Sequence, residues 1–192
     1  MRARVVAVAF LLTTLSAACT AAYRGDARPI APGQVRAADG WVQATAPAIA
    51  QRADADCGAA ALAMVVHRWR PSLDRAAIAR AAPPEDGGIS LGRLRDLARA
   101  EGLDAYAIAG DRATIVHELR LGRPLVVGLV RPYEGGQLRS HYEVIIAAHP
   151  DGRVVTIDPG DAGWRVRSWA GLDAEWAPGG YPTLVVLGPK AR

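Results

Sequence analysis

The chain has 192 residues, 51% hydrophobic and 22% charged, with 23 Lys and Arg against 19 Asp and Glu and a formal net charge of +4. That length predicts one globular domain with a sizeable core and excludes two full domains. The charge is small and of mixed sign along the chain, with no basic block and no basic stripe carrying aromatics, which excludes nucleic acid as the expected partner.

Residues 1–18 read as a secretory signal: Arg2 and Arg4, an apolar run from Val5 to Leu12 and on to Leu15, then Ser16-Ala17-Ala18 before Cys19. The run is shorter than the roughly 18–20 apolar residues of a spanning helix. Ser-Ala-Ala-Cys resembles a bacterial lipoprotein box, with Leu15 one place earlier than usual, so Cys19 is expected to carry the lipid that anchors the mature chain. Thr20 gives no inner-membrane retention signal, and the expected location is the periplasmic side of an outer membrane in a cell that has one. Only two cysteines are present. With Cys19 acylated, Cys57 is a lone thiol in an oxidising compartment, where reactivity is the reason to keep one; a Cys19–Cys57 disulfide is the alternative.

Residues 19–44, rich in Ala, Arg, Gly and Pro without apolar periodicity, predict an anchor and flexible tether, and 45–192 the folded domain. From Cys57 to Trp69, apolar residues at Ala61, Met64, Val65 and Trp69 keep helical spacing, and Pro71 ends the segment. Further helices are predicted over Leu73–Ala82, over Leu91–Glu101 with Ser90 as N-cap and Gly102 as stop, and from Asp111 to Gly122. The second half changes character. Pro124–Val130, Tyr142–Ala148, Val154–Ile157 and Tyr181–Leu187 are short, rich in Val and Ile, and predict strands, with a hairpin turn at His149-Pro150-Asp151-Gly152. Helices followed by antiparallel strands predict an α+β fold.

The chemistry centres on Gln51 and Asp56-Cys57-Gly58. A Cys in the first turn of a helix sits where the N–H groups and dipole favour thiolate and can hold an oxyanion. Gln51 is placed to donate its side-chain amide to the same oxyanion, and Gly58 permits close approach of a substrate backbone. A thiolate needs a base that returns the proton to the leaving amine. Of four histidines, His67 and His117 fall within helices and His149 in a turn, whereas His141 stands where a Gly135-Gly136 loop meets a strand. Asp158, at the end of the neighbouring strand, is the orienting carboxylate for His141. The tryptophans, Trp164, Trp169 and Trp176 among them, are read as packing, and no His or Cys spacing matches a metal site. No cofactor is expected.

These pieces together resemble the bacteriocin-processing, double-glycine leader peptidases, papain-like domains usually found at the front of export transporters. Gln51 and Asp56-Cys57-Gly58 with Ala60, Leu62 and Met64 resemble that family's nucleophile motif. Gly88-Ile89-Ser90-Leu91 through Gly102-Leu103 resembles its second helical block, and His141-Tyr142 and Asp158-Pro159 its histidine and aspartate motifs. The resemblance implies a papain-like fold, a Cys57-His141-Asp158 triad with Gln51 in the oxyanion hole, peptide substrates cut after small or double-glycine residues, and an export-machinery partner. The chain departs from the pattern at Glu143, where the family has an apolar residue, and at Ala61, which replaces a second cysteine. It also lacks a phosphate-binding Gly-rich Lys motif, and its leader directs it out of the cytoplasm. A catalytically silent peptide-binding domain and an amidase or acyl transferase on cell-wall peptides are the competing readings of the same scaffold.

Overall fold

The computed structural model describes residues 21–85 and 87–190. The leader and the Cys19 lipidation motif lie outside the described residues. The fold is α+β, as the change of pattern along the chain predicts. Its strands are β1 (Arg28–Pro29), β2 (Val42–Gln43), β3 (Leu103–Ala109), β4 (Leu125–Pro132), β5 (Leu138–Ala148), β6 (Arg153–Asp158), β7 (Gly163–Ser168) and β8 (Pro182–Pro189). Its helices are α1 (Cys57–Val66), α2 (Arg75–Ala81), α3 (Leu91–Ala100), α4 (Arg112–Arg120) and α5 (Trp169–Trp176).

The strands form one antiparallel sheet in the order β1-β7-β6-β5-β4-β8-β3, with β2 pairing the far end of β5. Both faces are covered, which is why its central strands are near-continuous apolar runs. Val126, Val144, Ile146, Val155 and Ile157 pack under Leu62, Met64, Ile78 and Leu94 of α1, α2 and α3. The alternate residues Leu125, Val127, Ile145 and Val154 face the opposite way, against Ile115 and Leu119 of α4 and Leu172 and Trp176 of α5.

Asp74, Ser90, Asp111 and Ser168 cap α2, α3, α4 and α5 by accepting backbone N–H groups. The helix starting at Cys57 ends at Val66 rather than Trp69, and all ten of its residues are buried. Its alanines let it lie close to the sheet, so it is a central helix rather than an amphipathic surface one. Strands β3 and β7 and helix α5 fall in stretches left unassigned by the pattern. The exposed Tyr106 and Ile108 of β3 break the alternation expected of a half-buried strand.

The largest departure concerns the stretch predicted as a tether. Residues 21–44 pack along the sheet: Arg24 N–H donates to Pro132 O at 2.9 Å, Glu134 N–H to Ala22 O at 2.9 Å, and Ala44 N–H to Ile146 O at 2.8 Å. Asp26 accepts from Ser168 at the start of α5, and Val35 and Trp41 are buried. Isolated large side chains and backbone pairing hold this strap, which is why its composition shows no periodicity.

Candidate active site

Cys57 opens α1 after a short 3-10 turn over Asp54–Asp56. It is 7% exposed and forms no disulfide among the described residues. Asp56, immediately before it, is nearly buried and paired with Arg75 of α2 at 2.8 Å, which fixes the entry to the helix and neutralises a charge that would oppose a thiolate. Gly58 lies where a Cβ would come 3.3 Å from the Tyr142 ring and 3.4 Å from Leu94, so the glycine lets the Cys57 end of α1 seat against β5.

Nε2 of His141, on β5, lies 2.7 Å from Oδ1 of Asp158 at the end of β6. That leaves Nδ1 for the thiol. Burial disfavours the imidazolium, but hydrogen bonds to Asp158 and Cys57 and the charges of Asp158 and Glu143 outweigh it, raising the His141 pKa to about 9. Burial likewise opposes a thiolate at Cys57. His141 and the backbone N–H groups of Tyr142 and Gly58 overcome it and hold the thiol below its ordinary value. Asp158 is buried too, yet His141, Arg131 and the Gly160 N–H keep it well below the usual carboxylate range. Cys57 and His141 share a cleft of about 150 Å³ walled by Gly128, Leu129, Tyr142, Gly179 and Pro182.

Gln51 is brought to this site from the loop before α1. Its N–H donates to Pro159 O at 2.8 Å, beside Asp158, and its side chain lines a hollow with His141, Asp158 and Arg131. Oε1 of Gln51 is buried without a hydrogen-bond partner. The other histidines stand apart: His67 and His117 are exposed, and His149 packs against Trp41 with its ring tilted by 53° and is bonded to Asp39 O at 2.8 Å.

Behind His141 the structure holds a charged layer that sequence reasoning missed. Strand alternation puts His141 and Glu143 on one face of β5, with Arg131 of β4, Thr156 and Asp158 of β6 and Arg167 of β7 on the same face. Arg131 lies 2.9 Å from Asp158 and 3.7 Å from Glu143. Arg167 lies 2.5 Å from Glu143 and 3.2 Å from Glu175. Tyr23 of the strap covers Arg131 with its ring, 4.6 Å from the guanidinium carbon, and donates its hydroxyl to Glu175. Burial would raise the Glu143 pKa, but the two guanidiniums hold it down. The only sequence signal was Glu143 itself, a carboxylate inside an apolar strand.

Ligand atoms of His141, Glu143 and Asp158 lie within 4.8 Å of one another. The carboxylates are already engaged by Arg131 and Arg167, and two guanidiniums beside this cluster repel a metal cation.

The Peptidase C39 family matches residues 45–184. No curated protein sequence matches the chain. Among solved structures, the peptidase domain of Streptococcus ComA, a bifunctional ABC transporter involved in a quorum-sensing pathway, is similar with a TM-score of 0.58 at 20% identity, over 74% of this chain and 97% of that one. A double-glycine motif protease from an AMS/PCAT transporter, in complex with the leader peptide, gives 0.57 at 19% identity over 77% and 94%. A C39-like peptidase from Bacillus anthracis gives 0.59 at 16% identity over 74% and 94%. At these identities the likeness is one of fold. The family match starts at residue 45, so the strap of residues 21–44 lies outside it.

Proposed function

Because the chain belongs to the Peptidase C39 family, we propose that it is a cysteine endopeptidase in which Cys57 is the nucleophile, His141 the base and acid, Asp158 the orienting carboxylate and Gln51 an oxyanion donor. The observation that carries this reading is geometric: Cys57, at the first turn of α1, shares one cleft with His141, whose Nε2 lies 2.7 Å from the buried carboxylate of Asp158. The thiol is held down and the imidazole held up, which favours the proton on His141. Cys57 Sγ attacks the scissile carbonyl carbon, and the oxyanion is received by the Cys57 N–H and the Gln51 amide. His141 then gives its proton to the leaving amine as the C–N bond breaks. Water attacks the resulting thioester with His141 as base, releasing the acid and restoring the pair.

The cleft supports short, extended peptides with small residues before the cut. A Cβ on Gly128 would stand 2.9 Å from Pro182 Cγ and 3.2 Å from Tyr142 Cε1, so the wall is packed tightly there around a narrow cleft of about 150 Å³. Double-glycine sequences fit that restriction, and the similar transporter protease was solved with a leader peptide. Membrane attachment through Cys19, location outside the cytoplasm and an export-machinery partner belong to the same proposal. No described helix is long and apolar enough to cross a membrane.

The test needs no substrate at first: the rate of Cys57 alkylation against pH in protein lacking residues 1–19, beside His141→Ala. An inflection well below the free-thiol value of about 8.5, lost in the variant, is expected. An ordinary thiol profile insensitive to the variant overturns the reading in favour of a silent peptide-binding domain. Cleavage of a double-glycine peptide rather than a muropeptide then separates peptidase from cell-wall amidase.

A further inference from the structure

Glu143 has no part in the proposed chemistry, yet it is fully buried two residues from His141. Thr156 donates its hydroxyl to it, and Arg131 and Arg167 flank it. Three buried carboxylates, Asp158 and Glu143 on the sheet and Glu175 on α5, therefore lie in one layer with two buried guanidiniums, Arg131 and Arg167. The imidazolium of His141 brings the positive charges of this layer to three against three carboxylates, before the Cys57 thiolate on α1 is counted. An unbalanced charge in such a layer is costly, so the layer acts on the one member that exchanges a proton with substrate.

We propose that Arg131 is a positioning residue for His141: its guanidinium, shared between Asp158 and Glu143, offsets the second carboxylate behind the imidazole and leaves the imidazolium able to release its proton to the leaving amine. This rests on the peptidase reading above. Arg131 is suited to the role by place. It is 7% exposed, lies in contact distance of both carboxylates, and is closed off by the Tyr23 ring of the strap. Without it, Glu143 keeps only Arg167, which Glu175 also uses, and two negative charges then hold the proton on His141.

The other groups around the imidazole do not replace it. Cys57 faces it from α1 as the reacting partner. At the rim of the adjoining hollow, Asp161 is paired with Arg165. Asp54, Tyr133 and Arg139 line the same hollow, with Arg139 exposed and stacked on Tyr133.

The experiment is a ¹³C-histidine titration of protein lacking residues 1–19, with the His141 signal assigned by its loss in His141→Ala, run beside the alkylation profile of Cys57. Arg131→Gln is expected to move the His141 inflection upward from about 9, and Glu143→Gln to move it downward, each by about one unit. The double variant is expected to return it close to the parent value, which a merely structural role for Arg131 does not predict. If Arg131→Gln fails to fold, Glu143→Gln decides alone, because it keeps the size of the side chain and its contacts with Thr156 and Arg167. An inflection unmoved or raised in Glu143→Gln, or lowered in Arg131→Gln, overturns the proposal while leaving the peptidase reading standing. An ordinary thiol and an unshifted His141 in the parent overturn both.

Discussion

Nε2 of His141 and Oδ1 of Asp158 meet at 2.7 Å although the two residues are 17 positions apart in the chain. The antiparallel β5–β6 pair folds the segment back on itself and places both side chains on one face. Asp158→Asn removes the charge and is expected to bring the His141 pKa down from about 9 toward its ordinary value of about 6.5, with loss of the early thiolate inflection. Histidine NMR and alkylation kinetics check both ends of the pair.

The pKa directions set a window for activity. Below the depressed Cys57 pKa the nucleophile is a thiol, and above about 9 the imidazole has no proton for the leaving amine. The pH profile of kcat/KM on a peptide substrate is therefore expected to rise below the ordinary thiol value and fall near 9, as apparent constants of the coupled pair. Asp158, depressed in the folded state, contributes stability that is present above the ordinary carboxylate value and lost as pH falls through its folded pKa. Asp158→Asn is expected to remove that part of the acid sensitivity, read by thermal unfolding across pH.

Arg167→Met leaves Glu143 and Glu175 buried without their shared guanidinium. Breaking a buried pair in this way costs about 3–5 kcal/mol. The exposed Arg24–Glu134 pair serves as the control, since Arg24→Ala is expected to cost less than about 1 kcal/mol. Urea unfolding of the two variants measures the contrast.

Gly128→Ala places a methyl group into the cleft wall against Pro182 and Tyr142. Turnover of a glycine-containing peptide is expected to fall about tenfold or more, the effect of roughly one misplaced methyl group. Alkylation of Cys57 by a small reagent should stay near the parent rate. Equal losses in both assays would mean that the substitution disturbs the catalytic pair instead of the space beside it.

Residues 21–44 pack on the sheet although the family match begins at residue 45. Protein starting at residue 45 is expected to unfold at lower urea than protein starting at residue 21, because it loses buried Val35 and Trp41 and uncovers Arg131. Equal midpoints would show the strap to be dispensable for stability.

The sequence by itself determined the local features. Ser90, Asp111 and the apolar spacing of α3 and α4 mark helices because capping and periodicity act within a few residues. The Val- and Ile-rich runs mark the central strands for the same reason. The candidate site was legible because Gln51, Cys57, His141 and Asp158 sit in short motifs with a chemical purpose. Tertiary structure decided what depends on pairing between distant segments. The strap has no periodicity of its own and is held by single side chains and by a sheet built 100 residues later. The layer of Arg131, Glu143 and Arg167 exists only because the register of β4, β5, β6 and β7 puts these residues on one face. Each has its partners in other elements of the fold, so no local pattern announces them. That register turns a carboxylate, which sequence alone leaves between solvent exposure and interference with the base, into a buried and balanced neighbour of His141.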